Sequence, residues 1–377
     1  MSSPMSSTPL RPLESLLDLA RWAPSGDNTQ PWRFRIHAPD HVAIHGFDTR
    51  THCVYDLDGH ASEMAHGALL GTLRIAAAEV GLAAVWRARA GTPTGAPIYD
   101  VHLDGATPPA RDPLAAVIRA RVTHRRPYRL RALTAGQRAE LEAAVQPYRV
   151  LWWTDFGQRL AMARLLWANA HLRLTLPEAF AVHRSVIEWR VRYSEDRIPE
   201  QAVGADPIMA RLMRVLMRDW RRVDFANRYL AGTVLPRIEL DLLPALACGG
   251  HACLLAPAPP TTAEDFVAAG VAMQRFWLSA TRLGLHMQPE MTPLIFARYV
   301  RAGLPFPSDP VKWAEAETLA ARFDTALRAR LAAEPEAESE RDAPDVAARA
   351  VVLCRLGHAR APRSRSLRRP LEALWQH

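Results

Sequence analysis

Three short segments of this chain carry side chains that could hold a compact anion beside a flat polar ring. Residues 23–32 read Ala-Pro-Ser-Gly-Asp-Asn-Thr-Gln-Pro-Trp, setting Ser25, Asn28 and Gln30 between a glycine and two prolines. Their hydroxyl and amide groups can both donate and accept, which suits the edge of a heteroaromatic ring. Turn chemistry alone gives a plainer reading, a polar loop bonded to its own backbone. Residues 121–128, RVTHRRPY, supply Arg121, Thr123, Arg125 and Arg126. Guanidinium forks bind phosphate oxygens two at a time, and a threonine hydroxyl adds a donor. A solvated helix end accounts for some of these arginines, but not easily for their crowding beside Pro127. The third segment, RSRSLRRPLEALW, holds Arg363, Arg365, Arg368 and Arg369. Its apolar ending, with Leu371, Leu374 and Trp375, argues for a docked segment rather than a frayed basic tail.

Other chemistries lack their residues. There is no HExxH, CxxC, P-loop, GxSxG or GxGxxG pattern. Cys53, Cys248, Cys253 and Cys354 are scattered, so no disulfide framework or zinc site is expected and a reducing cytoplasm is the default. His52, His60 and His66 are spaced too irregularly for one helix face and read as ordinary polar histidines. The run CGGHAC, flanked by apolar residues, reads as small buried residues at a helix contact. The formal charge is +8, and Lys312 is the only lysine among 47 basic residues. Residues 119–131 hold six arginines and residues 349–369 hold seven, neither with an acid. Two separate cationic spots suit compact anions better than the continuous track of a nucleic acid. No apolar stretch approaches the roughly 20 residues of a membrane span, and residues 1–14 lack the apolar centre of a secretory signal.

The elements that must position these segments follow from periodicity. Leu13, Leu16, Leu17 and Ala20 predict an amphipathic helix over residues 12–22, stopped by Pro24. WRFRI and HVAIHGF alternate as strands that break at Pro39-Asp40, and a long apolar helix follows from His60. AAVWRARA and PIYDVHL complete a small sheet. Residues 112–122 read as helix, and Thr134 with Gln137 forms a capping box for the next one. VLWWTD is a strand, GQRLAMARLLWANAHLRL a long helix, and residues 177–243 read as helical throughout. There, Met209, Leu212, Met213, Leu216, Met217 and Trp220 recur at helical spacing, as a packing face or a lid. DFVAAGVAMQRFWLSATRLGL is a long buried helix, HMQPEMTP a loop, KWAEAETLAARFDTALRARLA a surface helix and AVVLCRLG a buried strand. The class is α+β. The organisation is a loose tail over 1–10, a first half over 11–110 and a second over 111–377. The second half contains the helical insertion 177–243 and an acidic connector, 334–345.

These motifs together resemble a known family. APSGDNTQPWRF is similar to the APSxxNxQPW segment of nitroreductase-type flavoproteins. RVTHRRPY is similar to their R-R-S-x-R-x-F phosphate segment, and RSRSLRRPLEALW to their closing R-x-P-L-E-E-V. Here the phosphate segment follows the serine–asparagine segment by about a hundred residues. That order resembles the double-domain, Acg-like branch, in which one chain carries two half-sites as a pseudo-dimer. The chain also resembles nitroreductase-like regions attached to ThiF-like adenylating enzymes, around EWRVRYSEDRIPEQAVGADP, LPRIELDLLPALACGGH and PEMTPLIFARY.

The resemblance implies two nitroreductase-like halves, each a small, mostly antiparallel sheet packed with long helices. It implies noncovalent FMN at their seam. Arg121, Thr123 and Arg125 would meet the phosphate, with Arg365, Arg368 or Arg369 completing the cage, and Arg21 would also belong to the cofactor site. Ser25, Asn28 and Gln30 would face the isoalloxazine or ribityl chain, and the loop from Gln288 to Met291 would approach flavin N5. The expected activity is FMN-dependent oxidoreduction by hydride transfer, with a small organic or carrier-bound substrate and NAD(P)H as a donor. A flavin-storing protein and a partner of an adenylating enzyme are the other readings. A monomer or weak homodimer is expected, with no metal, nucleic acid or membrane partner.

Overall fold

The computed structural model describes residues 12–334 and 346–376. The tail 1–10 and residues 335–345 of the acidic connector lie outside the described residues. Helix α1 (Pro12–Ala20) buries the four apolar positions its spacing picks out. Strands β1 (Trp32–Ala38) and β2 (His41–Gly46) turn at Pro39-Asp40 as the sequence predicts. After α2 (His60–Glu79) come β3 (Ala83–Ala88) and β4 (Ile98–Asp104). The four strands form an antiparallel sheet in the order β1-β2-β4-β3.

The second sheet is assembled from distant pieces. Helix α3 (Ala135–Ala143) starts on the Thr134–Gln137 capping box and leads into β5 (Arg149–Trp153) and α4 (Phe156–Leu174). A helical stretch includes α5 (Pro177–Val186), α6 (Pro207–Leu216), α7 (Trp220–Tyr229), α8 (Val234–Arg237) and α9 (Leu243–Leu246). Then follow β6 (Gly250–Leu255), α10 (Ala263–Arg282), β7 (His286–Pro289), α11 (Thr292–Ala302), α12 (Pro310–Ala332) and β8 (Ala350–Gly357). The sheet runs β7-β8-β6-β5, again antiparallel. Both central strands, β6 and β8, are buried at every position, because helices cover both faces. Leu141, Phe266 and Phe276 pack on one side; Leu166, Phe323 and Leu327 pack on the other. The architecture is therefore mixed α+β.

The two sheets meet through α2 and α10, which pack closely at reciprocal glycines. A β-carbon on Gly67 would lie 1.9 Å from the Val267 carbonyl oxygen, and one on Gly270 would lie 2.0 Å from that of Met64. Without side chains at these two points the backbones can touch. Beside this contact Gln274 Nε2 donates to Thr72 Oγ1 at 2.9 Å, wholly buried. The end of the chain returns to the first sheet: Leu371 and Leu374 join its core, and Trp375 meets Phe34 edge-on at 6.3 Å.

Four expectations change. Residues 112–122 are not a regular α-helix but a 3-10 helix, Pro113–Val117, and a turn over 118–120 closed by the Arg121 N–H on the Val117 carbonyl at 3.0 Å, after which the chain leaves the helical path. Tertiary pairing wins there, since Thr123 bridges Met287 and the His124 N–H donates to the Met287 carbonyl at 3.1 Å. HMQPEMTP is not simply a loop, because residues 286–289 form edge strand β7 against β8. The last four residues of CGGHAC lie on buried strand β6, where Ala252 and Cys253 still meet helices, packing in the clusters of Phe276 and Leu166 respectively. The stretch 177–243 is interrupted between residues 187 and 206, where two-residue strands replace helix. One of these, Tyr193–Ser194, runs parallel to Arg365–Ser366. Helix α12 is exposed on one face only; Leu319, Phe323, Leu327 and Leu331 are buried.

Candidate functional site

The segment after α1 is held in an unusual turn. Asp27, Asn28 and Gln30 have φ of 50°, 66° and 51°, a left-handed conformation that costs non-glycine residues energy and concentrates at functional sites. Hydrogen bonds hold it there. Ser25 Oγ accepts from the Gln30 N–H at 2.9 Å. Asn28 Nδ2 donates to the Glu195 and Arg197 carbonyls. Gln30 is fully buried; its Nε2 donates to the Glu195 carbonyl at 2.8 Å, and its Oε1 accepts from the Arg369 N–H at 2.9 Å.

This turn forms part of a cavity of about 450 Å³, a size typical of sites for small molecules and cofactors. All three chemistry-bearing segments reach it. Ser25 and Asn28 line it from the first, Arg121, Thr123 and Arg125 from the second, and Arg365 and Arg368 from the third. Gln288 and Met291 line it from β7 and the turn that follows. Three expected residues do not. Gln30 braces the turn from behind. Arg369 Nη2 pairs with Asp196 at 3.0 Å, and Arg21 pairs with Asp18 and donates to the Arg369 carbonyl at 2.8 Å.

The charges divide into two clusters. Arg121, Arg365 and Arg368 stand together: Arg121 and Arg368 are only 3% and 8% exposed. Arg365 Nη2 donates to the Arg121 carbonyl at 3.1 Å, Arg121 Nη2 to the Trp22 carbonyl at 3.0 Å, and Arg368 Nη1 to Asn28 Oδ1 at 2.8 Å. Aromatic rings lie under two of them, with Arg121 4.4 Å from the Trp277 ring centre and Arg365 5.0 Å from that of Trp22. Among the described residues no carboxylate pairs with any of the three. Burial, then the Arg368 and Arg365 charges, push Arg121 well below its ordinary value; burial, Arg365 and Arg21 push Arg368 down to about 9. A guanidinium keeps its proton, so these shifts register positive charge that no carboxylate among the described residues compensates.

The second cluster contains Arg125, which stands apart from the other three. Burial pushes it down to about 10, with Asp27 opposing and Arg355 reinforcing that shift. Arg355 comes from the middle of buried β8, and Glu290 joins it through Oε1 at 2.8 Å from Nη1. The other Glu290 oxygen lies 2.7 Å from His251 Nδ1, and His251 Nε2 lies 3.0 Å from the Ala245 carbonyl. Both imidazole nitrogens face acceptors, so both carry protons. Sequence reasoning had not singled out Arg355, Asp27 or Trp277, and took in Glu290 only as part of the loop from Gln288 to Met291. A lone arginine inside AVVLCRLG was the one available signal.

Burial works against the His251 charge, but Glu290 and Cys248 outweigh it and raise the group from 6.5 to about 10. Burial likewise works against the Glu290 charge, and His251 and Arg355 outweigh it, lowering the group from 4.5. The histidine's stabilisation is whole below pH 6.5 and lost as pH rises to about 10. The carboxylate's is present above pH 4.5 and lost as pH falls through its folded value. Glu290→Gln leaves two buried cations without a counter-charge and is expected to cost about 3–5 kcal/mol near pH 6. Denaturant unfolding of both proteins measures it; a loss under about 1 kcal/mol, typical of an exposed pair, would contradict it.

Among the described residues no group of three or more side chains is arranged to hold a metal ion, and no helix is long and apolar enough to cross a membrane. The chain matches no protein-family model, and no curated protein shows significant similarity to it.

Proposed function

We propose that this chain is an FMN-dependent oxidoreductase of the nitroreductase-like type, with one flavin site built between two halves of a pseudo-dimer. The observation that carries this reading is the Arg121–Arg365–Arg368 cluster, three neighbouring guanidiniums without a carboxylate beside a cavity that also has apolar walls. Buried charges are expected to be paired, and a phosphate would supply the missing partner. Unused polar atoms fit the same group. Arg121 Nε, Arg365 Nε and Gln288 Oε1 are buried with no partner, two donors and one acceptor on cavity-lining residues. FMN, when bound, supplies two-electron chemistry at its isoalloxazine ring.

The chain's own residues bind, orient and exclude water. Arg121, Arg365 and Arg368, with the Thr123 hydroxyl, hold the phosphate. Trp277 and Met273 from α10 and Met64 and Ala65 from α2 present apolar surface to the ring system. Met213, Met217 and Leu240 of the helical insertion also line the cavity and keep water from it. The pseudo-dimer is supported by the two antiparallel four-stranded sheets, the reciprocal glycine contact and the docking of Leu371 and Leu374 on the first core. Because every segment of the site belongs to one chain, a monomer suffices. The substrate is a small organic or carrier-bound molecule, NAD(P)H is the candidate donor, and the protein works in the cytoplasm.

A flavin-holding protein with little turnover is the second reading. A cation at the ring edge stabilises the negative charge of reduced flavin, and this reading is favoured because the sole lysine, Lys312 in α12, bonds Glu315 at 2.8 Å rather than lining the cavity. Purified protein is expected to be yellow and to release FMN, identified by mass, on acid treatment. Bleaching by NADH or NADPH then separates turnover from holding. Colourless protein that takes up no added FMN would overturn both readings.

A further inference from the structure

Three carboxyl groups line the cavity, and two are already engaged. Glu290 is held by His251 and Arg355. Asp241 is held by Arg173, whose Nη2 lies 3.2 Å from both of its oxygens. Asp27 has no side-chain hydrogen bond or ion pair among the described residues, yet its surroundings are fixed. It sits at φ 50° in a turn whose neighbours, Ser25, Asn28 and Gln30, are all bonded. The strained turn thus presents one free carboxyl to the cavity.

Its neighbours define what it can meet. Arg125 gives one hydrogen bond to the Ala202 carbonyl at 3.0 Å and keeps further donors. The Tyr55 hydroxyl lies 2.9 Å from His183 Nε2, so it is occupied. Leu174, Val186, Ile187, Met213 and Met217 add apolar surface to the same cavity. The free polar capacity here is rich in donors and flanked by hydrocarbon.

We propose that Asp27 is the proton-exchanging residue of the cavity and that its ligand is a carbonyl oxygen on an aromatic or conjugated substrate. This rests on the reading above, in which the FMN phosphate takes the Arg121–Arg365–Arg368 cluster and leaves Asp27 for the substrate. Among the described residues Arg125, Arg173, Tyr55 and Cys53 act electrostatically on Asp27, and Asp56, bonded to Thr49 and Ser62, lines a small neighbouring cavity with it. Arg125 and Arg173 favour its charged form, while Tyr55 and Cys53 are themselves pushed upward by burial and stay neutral. Burial outweighs both arginines and raises the carboxyl above its ordinary range. A ligand that displaces water strengthens burial, so a proton enters with it and the carboxylic acid donates to the carbonyl. The proton that Asp27 takes from solvent is the one it shares with the ligand oxygen.

The test titrates 4-fluoroacetophenone into FMN-loaded protein by fluorine NMR between pH 5 and 9. Parent and Asp27→Asn are compared, with retained FMN measured on the same samples. Asparagine tolerates the left-handed turn and keeps a donor at every pH. The parent's dissociation constant is expected to rise roughly tenfold per pH unit above the Asp27 value, while the variant's stays level. Coincident pH profiles, or no ketone binding by FMN-loaded parent, overturn the proposal. Samples that hold no FMN overturn the flavin reading and this proposal with it, whereas FMN retained with coincident profiles removes Asp27 alone.

Discussion

Gly67→Ala is expected to lower the thermal unfolding midpoint by on the order of 4 °C and to empty the flavin site. The added methyl would lie 1.9 Å from the Val267 carbonyl oxygen, a backbone atom that cannot swing away. Overpacking of this kind costs about 3 kcal/mol; at about 2.1 cal/mol/K of unfolding entropy per residue, each kcal/mol moves the midpoint of a 377-residue chain by about 1.3 °C. Met64, Ala65, Met273 and Trp277 line the cavity from α2 and α10, so prising those helices apart deforms the site as well. Gly270→Ala is expected to do the same by pressing on the Met64 carbonyl. Gly136 in α3 gives the control, since a β-carbon there meets nothing within 4 Å. Gly136→Ala should leave the midpoint level or raise it slightly. Calorimetric scans of the three variants decide. Equal midpoints for Gly67→Ala and the parent would show that α2 and α10 do not touch as described.

Arg121→Met is expected to separate stability from binding, moving the two in opposite directions. Arg121 is buried beside two other guanidiniums, so exchanging it for an apolar side chain of similar length relieves repulsion. The flavin-free variant should resist denaturant at least as well as the parent. The same change removes a charge-assisted contact, which contributes about 1.5–3 kcal/mol, so FMN affinity should fall by roughly ten- to two-hundredfold. Arg125→Ala should weaken FMN less, because Arg125 stands with Asp27 and Arg355 instead of in the phosphate cluster. Equilibrium titrations with FMN, alongside urea unfolding of the flavin-free proteins, check both directions. Destabilisation of Arg121→Met with unchanged FMN affinity would mean that the arginine is a structural brace and not a ligand group.

Much of the fold was readable because its elements are periodic. The i, i+3, i+4 spacing of α1, the alternation in β1 and β2, and the Thr134–Gln137 capping box each report a local cause. What escaped depends on partners far along the chain. Residues 286–289 are too short to alternate convincingly, and they become a strand only because β8, more than sixty residues later, pairs with them. Residues 122–124 leave the helical pattern for the same reason, drawn to Met287. Segment-level expectations about the site fared differently from residue-level ones. The three segments meet at one cavity, but amide groups such as Gln30, which sequence places beside a ring, are consumed in holding the turn. Arg355 was hidden because a lone charge inside an apolar strand leaves almost no trace in a sequence, and Glu290, although it lies in the loop 288–291 expected to approach the flavin, gave no sign of its buried partners. Only the folded partner explains why an arginine is tolerated there.

The proposed site places a phosphate between Arg121, Arg365 and Arg368, and comparing FMN with riboflavin at equilibrium isolates that group from the rest of the cofactor. Three charge-assisted contacts, even partly realised, should make FMN bind on the order of a hundred- to a thousandfold more tightly, with the gap shrinking as salt is raised. Equal affinities for the two flavins would contradict the claim and return the arginine cluster to a purely structural role.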